Sequence, residues 1–195
     1  MEIKLKNQFY PIEYSITNNK QLMNILIIGS GGREYSVCKK LVGSKCNLFY
    51  YSEYENIAMT KMAKLIDCDK IVNLSLENKI SMVFIGSELP LSVGLSDKLS
   101  DANINVIGPS KSLAMIETSK IFARKLMMCN GMGDYCPDIL CILKPHDIDN
   151  LDHIKVLLSG KKIVIKPDGL HSGKGVKVQD DHFSTTLEGM DYCRD

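Results

Sequence analysis

Residues 24–28 (NILII) are uninterruptedly apolar and run straight into Gly29, Ser30, Gly31 and Gly32, with a helix-spaced stretch (REYSVCKKLVG) behind them. A strand with one wet face alternates apolar and polar residues, whereas a continuous apolar run suits a strand buried on both faces. Strand, glycine turn and helix open a Rossmann-like unit, which restricts the chain to folds with helices on both sides of a parallel sheet. The helix start offers bare amide donors and about half a positive charge from aligned peptide dipoles, so it suits an anion. The dinucleotide fingerprint G-x-G-x-x-G nevertheless fails. Gly29 and Gly31 can take its first two places, but Glu34 stands in the third, forfeiting the close helix packing that a dinucleotide needs, although Glu53 lies near the usual ribose-binding acid. A monophosphate at Gly29, Gly31, Gly32, Arg33 and Glu34 fits better than NAD. The alternative is a turn that only joins strand to helix.

The alternation continues downstream. A strand is expected at 47–51 (NLFYY), a helix at 57–66, a short strand at 70–72, a short helix at 74–80 and a buried strand at 81–85 (SMVFI). Pro90 suits the first turn of a helix reaching Leu99, and 105–107 forms a last strand closed by Gly108 and Pro109. Such an order predicts an α/β fold with a doubly wound parallel sheet over 23–109. Ligands of such sheets sit beyond the carboxyl ends of the strands, where residues 29–34 and 86–91 both fall. Glu88 is there to bind a hydroxyl or amine, or else is a solvated helix-start charge. Residues 110–128 read as one linking helix, broken by Gly131, Gly133 and Pro137. A strand (139–143), a helix (148–158) and a hairpin follow within 129–195. Residues 1–22 show no periodicity and read as a mobile extension, with Met23 an alternative start. After Val178 apolar content falls, and no closing element is expected before Asp195.

The hairpin is residues 163–178 (IVIKPDGLHSGKGVKV): a β-branched strand, a loop holding two lysines and three glycines, and a returning strand. Glycines let backbone amides approach phosphate oxygens, and the ammoniums of Lys166 and Lys174 offset their charge without demanding one geometry. It is not a P-loop, because Gly175 and a strand follow Lys174 where Ser/Thr and a helix are required. A surface hairpin that happens to be rich in Gly and Lys is the plain alternative.

Composition excludes other classes. A formal net charge of +1 lacks the basic excess of nucleic-acid or membrane-surface binders. No apolar run spans a bilayer, and residues 1–22 contain no signal-like apolar core. Seven cysteines without a C-x-x-C pair suggest neither a disulfide framework nor a zinc site, and they read mostly as small core residues of a cytoplasmic protein. Four scattered histidines show no metal-ligand spacing.

Four stretches in order, residues 24–37 (NILIIGSGGREYSV), 83–95 (VFIGSELPLSVGL), 104–127 (INVIGPSKSLAMIETSKIFARKLM) and 163–178, together resemble the glycinamide ribonucleotide synthetases (phosphoribosylamine–glycine ligases) of the ATP-grasp family. The resemblance implies a Rossmann-like domain followed by the start of an ATP-grasp α+β domain, incomplete at the C-terminus. It implies an ATP-dependent ligation of glycine to 5-phosphoribosylamine in purine biosynthesis. By resemblance, Gly29, Gly31, Gly32, Arg33 and Glu34 would hold the substrate's 5′-phosphate, with Glu88 and Pro90 near its ribose. Lys120 and Lys166 match the lysines that contact ATP phosphates. Gly169, Ser172, Gly173, Lys174 and Gly175 match the loop that closes over them. Magnesium ligands would lie beyond residue 195, in a C-terminal companion segment, so this chain alone is not expected to catalyse the ligation. The chain departs from the family at Tyr35, at residues 52–56 (SEYEN), where two acids replace a Pro-Gly-Asn turn, and at His171 and Ser172. A non-catalytic nucleotide- or phosphate-binding remnant and another ATP-grasp carboxylate–amine ligase are the competing readings.

Overall fold

A computed structural model describes residues 22–65, 71–139 and, beyond these, 154, 156, 158–171 and 174–193. Residues 1–21 of the extension expected at 1–22, 140–143 of the strand expected at 139–143 and most of the helix expected at 148–158 lie outside the described residues, as do Ser172 and Gly173. Strands β1 (Met23–Ile28), β2 (Cys46–Tyr51), β3 (Lys64–Leu65), β4 (Met82–Ile85) and β5 (Asn105–Ile107) form one sheet in the order β3-β2-β1-β4-β5, every pair parallel. The fold is α/β with a Rossmann-like parallel sheet, followed along the chain by a two-stranded antiparallel hairpin. The chain winds outward from β1 to β3 and returns to β4 on the other side of β1. The crevice above β1 and β4 is therefore the point where strand order reverses.

The unbroken NILII run has the expected cause. Leu26 and Ile28 face one core with Val83, Ile85, Leu91 and Leu99, while Ile27 faces a second with Cys38, Tyr50 and Met59. Burying each large apolar side chain is worth about 1.5–3 kcal/mol. Stability thus resides in the middle strands, since both residues of β3 are exposed and β5 is mostly so.

Helices α1 (Gly32–Leu41), α2 (Ile57–Thr60), α3 (Ile71–Glu77), α4 (Glu88–Ser92), α5 (Leu95–Asp101), α6 (Lys111–Thr118) and α7 (Lys120–Cys129) connect and extend the sheet. Four expectations need correction. The helix expected at 57–66 is a single turn capped by the Asn56 side chain, and Lys64 and Leu65 pair instead with Phe49 and Tyr50 as β3. Ile71 and Val72 begin α3 rather than form a strand, because β3 already occupies the sheet edge beside β2. The helix expected from Pro90 to Leu99 breaks at Gly94, whose φ of +81° is left-handed and starts α5 anew. The single linking helix is two. Ser119, with φ −126° and ψ 113°, ends α6 and starts α7, its hydroxyl accepting from the Phe122 amide. Of the cysteines, only Cys38 is buried among the described residues.

The hairpin forms as read: β6 (Val164–Ile165) and β7 (Lys177–Val178) pair antiparallel, Val164 opposite Val178. Against expectation, a closing element follows it. Helix α8 (Thr186–Asp191) begins with a capping box in which the Thr185 hydroxyl accepts from the Glu188 amide and Glu188 Oε2 accepts from the Thr185 amide. It delivers Met190 to a small core of Ile154, Ile163 and Phe183. The fall in apolar content hid this helix, because so few buried side chains suffice to seat it.

Candidate functional site

The first part of the site is the crevice above β1 and β4. Gly29 has a φ of +114°, and a Cβ there would meet Ser87 Oγ at 2.3 Å and the Glu34 side chain at 2.9 Å, so only glycine fits. A Cβ on Gly86 would lie 1.9 Å from Glu34 Oε1. These two glycines, at the carboxyl ends of adjacent strands, leave the slot that the Glu34 side chain fills. That side chain is 4% exposed. Its Oε2 accepts the Gly31 amide at 2.7 Å, which fixes the turn, while its Oε1 has no hydrogen-bond partner. A Cβ on Gly32 meets nothing within 4 Å, so open space lies over the first turn of α1.

Arg33 and Glu88 face each other across the crevice as the second residue of α1 and the first of α4. Arg33 Nη2 donates to Glu88 Oε1 at 2.5 Å, and Arg33 Nε lies 4.0 Å from Glu34 Oε1. The hydrogen bond from Arg33 holds the Glu88 carboxyl below the usual range, and Glu88 in turn raises the guanidinium. Pro90, in the first turn of α4, removes an amide that would have no partner within the helix. The departing loop is tied to the turn: Ser52 Oγ and Ser30 Oγ share a hydrogen bond at 2.7 Å, and Asn56 Nδ2 donates to the Ser30 carbonyl at 2.8 Å. Glu53 and Glu55 are exposed.

The second part joins the hairpin to α7. Asp168 Oδ1 accepts the amides of Lys120 at 2.7 Å and Ile121 at 3.2 Å, and its Oδ2 accepts the Ser119 hydroxyl at 2.8 Å. Lys120 Nζ donates to the Gly169 carbonyl at 2.8 Å. Desolvation pulls the Asp168 carboxyl up, but the Ser119 hydroxyl and the amides of Ile121, Lys120 and Gly169 outweigh it, leaving the group below the ordinary aspartate range. Gly169 and Gly175 are both left-handed, at φ +98° and +81°, and they shape the loop between the strands. Lys166 and Lys174 are exposed. Three ammoniums thus belong to one hairpin and the helix start to which it is fastened, a donor set that suits a polyphosphate. Among the described residues no group of three His, Cys, Asp or Glu could hold a metal ion.

The sequence model described as "Phosphoribosylglycinamide synthetase, N domain" matches residues 23–117, which are the sheet, the crevice and α6. Residues 23–117 form a domain of this family. Phosphoribosylamine–glycine ligase of Methanococcoides burtonii is 38% identical over 179 residues, covering 88% of this chain and 40% of that protein. The ligase of Methanobrevibacter smithii is 34% identical over 180 residues, covering 89% and 39%. The chain therefore spans about two fifths of the length of the curated relatives it matches. The crystal structure of the Thermotoga maritima phosphoribosylamine–glycine ligase superposes with a TM-score of 0.60 at 24% identity, covering 87% of this chain and 38% of that one. N5-carboxyaminoimidazole synthetase of Staphylococcus aureus gives 0.60 at 15% identity, covering 89% and 45%. Both likenesses concern the fold. Among the described residues no helix is long and apolar enough to cross a membrane.

Within this N domain, the sequence reading brought Gly29, Gly31, Arg33, Glu34 and Glu88 to one crevice, but it gave no role to Gly86 or Ser30 at the same strand ends and read Ser52 and Asn56 only as a departure from the family. Gly86 carried a usable signal, a glycine directly after a buried strand at the switch point. Beyond the N domain it missed Asp168, whose only hint was an acid beside lysines, 47 and 48 residues from the amides it binds.

Proposed function

We propose that this chain supplies the sugar-phosphate-binding and ATP-phosphate-binding parts of a phosphoribosylamine–glycine ligase. The reaction joins glycine to 5-phosphoribosylamine and yields glycinamide ribonucleotide, ADP and phosphate, in the cytoplasm. The observation that carries the reading is the Asp168 clamp, which places the Gly- and Lys-rich hairpin on the helix start that bears Lys120.

In this reading Gly29, Gly31 and Gly32 let a 5′-phosphate approach the start of α1, where Arg33 meets its charge. Glu88 accepts from the ribose hydroxyls, and Pro90 keeps the first turn of α4 free of a competing donor. ATP supplies the phosphoryl group that activates the glycine carboxyl. Lys120, Lys166 and Lys174 neutralise its phosphates, and the left-handed Gly169 and Gly175 let the backbone between them approach the phosphate oxygens. Positioning and charge neutralisation do the work, so no nucleophilic side chain is required. Magnesium would accompany ATP, but the described residues offer no ligand set for it, and no step is assigned to it. A non-catalytic binding remnant is the second reading, favoured by Glu53 and Glu55 beside the turn.

Nucleotide-dependent unfolding tests the proposal. A ligand at a hundred times its Kd adds about 2.7 kcal/mol, roughly 5–10 °C for a chain of this size. ATP is expected to raise Tm, and Lys166→Ala with Lys174→Ala to remove the rise. An unchanged shift in the double variant means that the hairpin is not the phosphate grip. ADP formed in the presence of glycine and phosphoribosylamine, and dependent on both, would exclude the remnant.

A further inference from the structure

Arg33 is engaged by two carboxylates at once, Glu88 Oε1 at 2.5 Å and Glu34 Oε1 at 4.0 Å. One guanidinium between two carboxylates leaves the crevice with a net negative charge, just where an anion is expected. Glu34 cannot leave, because its side chain fills the slot between Gly29 and Gly86 and holds the Gly31 amide. Its Oε1 is buried 4.0 Å from Arg33 Nε and lacks a hydrogen-bond donor, a costly state for a carboxylate oxygen. Arg33 and Glu88 can move, with side chains 61% and 34% exposed.

We propose that the Arg33–Glu88 ion pair is a selectivity lock, which admits a ligand only when it brings an anion for Arg33 together with hydroxyl or amine donors for Glu88 and Glu34 Oε1. This rests on the reading of the crevice as the sugar-phosphate site. A bare phosphate must draw Arg33 off Glu88 and then faces two carboxylates with nothing to offer them. A phosphorylated sugar carrying vicinal hydroxyls or a basic amine replaces the guanidinium at each carboxylate as it takes the guanidinium for itself. Phosphoribosylamine has that chemistry, with anion, hydroxyls and amine on one small frame. The lock thus keeps abundant inorganic phosphate out of a site that must bind a phosphate ester.

Calorimetric titration of the full chain with two probes, inorganic phosphate and ribose 5-phosphate, tests this in wild type, Glu88→Gln and Arg33→Gln. Glu88→Gln is isosteric at a partly exposed position and removes one negative charge from beside the anion, which at partly solvated distances is worth about fivefold in affinity. Inorganic phosphate is therefore expected to bind about fivefold more tightly to Glu88→Gln, and ribose 5-phosphate more weakly, so that the preference between them collapses. Arg33→Gln should lose both. Unchanged or weakened phosphate binding by Glu88→Gln, while ribose 5-phosphate still binds wild type, overturns the lock and leaves the site reading intact. An equal rise for both probes also overturns it, making Glu88 a mere competitor. Failure of ribose 5-phosphate to bind wild type overturns the site reading and the lock with it.

Discussion

Gly86→Ala offers a sharp test of how the crevice is built. The Gly86 backbone is fixed, since its amide donates to the Ile28 carbonyl at 3.1 Å, and its φ is not left-handed, so alanine is tolerated by the main chain. The new Cβ would stand 1.9 Å from Glu34 Oε1, 2.7 Å from its Cδ and 2.9 Å from its Cγ. Moving one oxygen does not relieve three contacts, so the whole side chain must leave its slot and release the Gly31 amide. A hydrogen bond to a charged acceptor is worth about 1.5–3 kcal/mol. Against this, replacing glycine by alanine at a compatible φ stabilises by about 0.4–1 kcal/mol through the unfolded chain. The net expectation is a loss of about 1–2 kcal/mol, or roughly 2–8 °C in Tm at this chain length. In a Glu34→Ala background the clash is absent, and Gly86→Ala should be neutral or mildly stabilising. Urea unfolding of the four proteins of this cycle gives a coupling expected near 2 kcal/mol. Equal losses with and without Glu34 would refute the account of the slot.

Three further outcomes follow from the clamp and the closing helix. Asp168→Ala should strip the first turn of α7 of its acceptor, costing about 1 kcal/mol as caps do, with faster hydrogen exchange at the Lys120 and Ile121 amides as the readout. The folded-state carboxyl of Asp168 is held below its ordinary value of about 3.9, so its contribution is complete above that pH and is lost as pH falls through the lower folded value. Those two amides should lose protection in that acid window, and Asp168→Asn should abolish this pH dependence. Met190→Ala should cost about 2–5 kcal/mol of the small core, as buried methionines do; a loss under 0.5 kcal/mol in thermal unfolding would mean α8 does not seat there.

The sheet was legible because its cause is local. NILII, SMVFI and the glycines after them announce buried parallel strands without any knowledge of their neighbours. The single turn at Asn56, the break at Gly94 and the pairing of Lys64 with Phe49 were not legible. Each depends on which residues a distant strand leaves available, and apolar spacing over ten residues does not contain that. The crevice divides likewise. Gly29 and Arg33 stand in a recognisable turn, whereas Gly86 matters only because Glu34 comes from another element, and Asp168 only because Ser119 interrupts a helix that the apolar spacing continues.

That interruption has a mechanical consequence. α6 is anchored on the sheet side, with Ala114 in the core beneath α4, whereas both ties from the hairpin, the Asp168 carboxylate and the Gly169 carbonyl, reach only atoms of Ser119 or later. α7 and the hairpin are thus tied into one lever that meets α6 at a single residue, and a swing there would leave the ties to Lys120 and Ile121 in place. A distance between probes at the exposed positions Leu113 and Met128 that stays fixed when ATP is added would contradict such a swing. Whatever the hairpin and α7 hold between them would turn with them, its grip undisturbed, as a tool travels in a jaw that pivots rather than reopens.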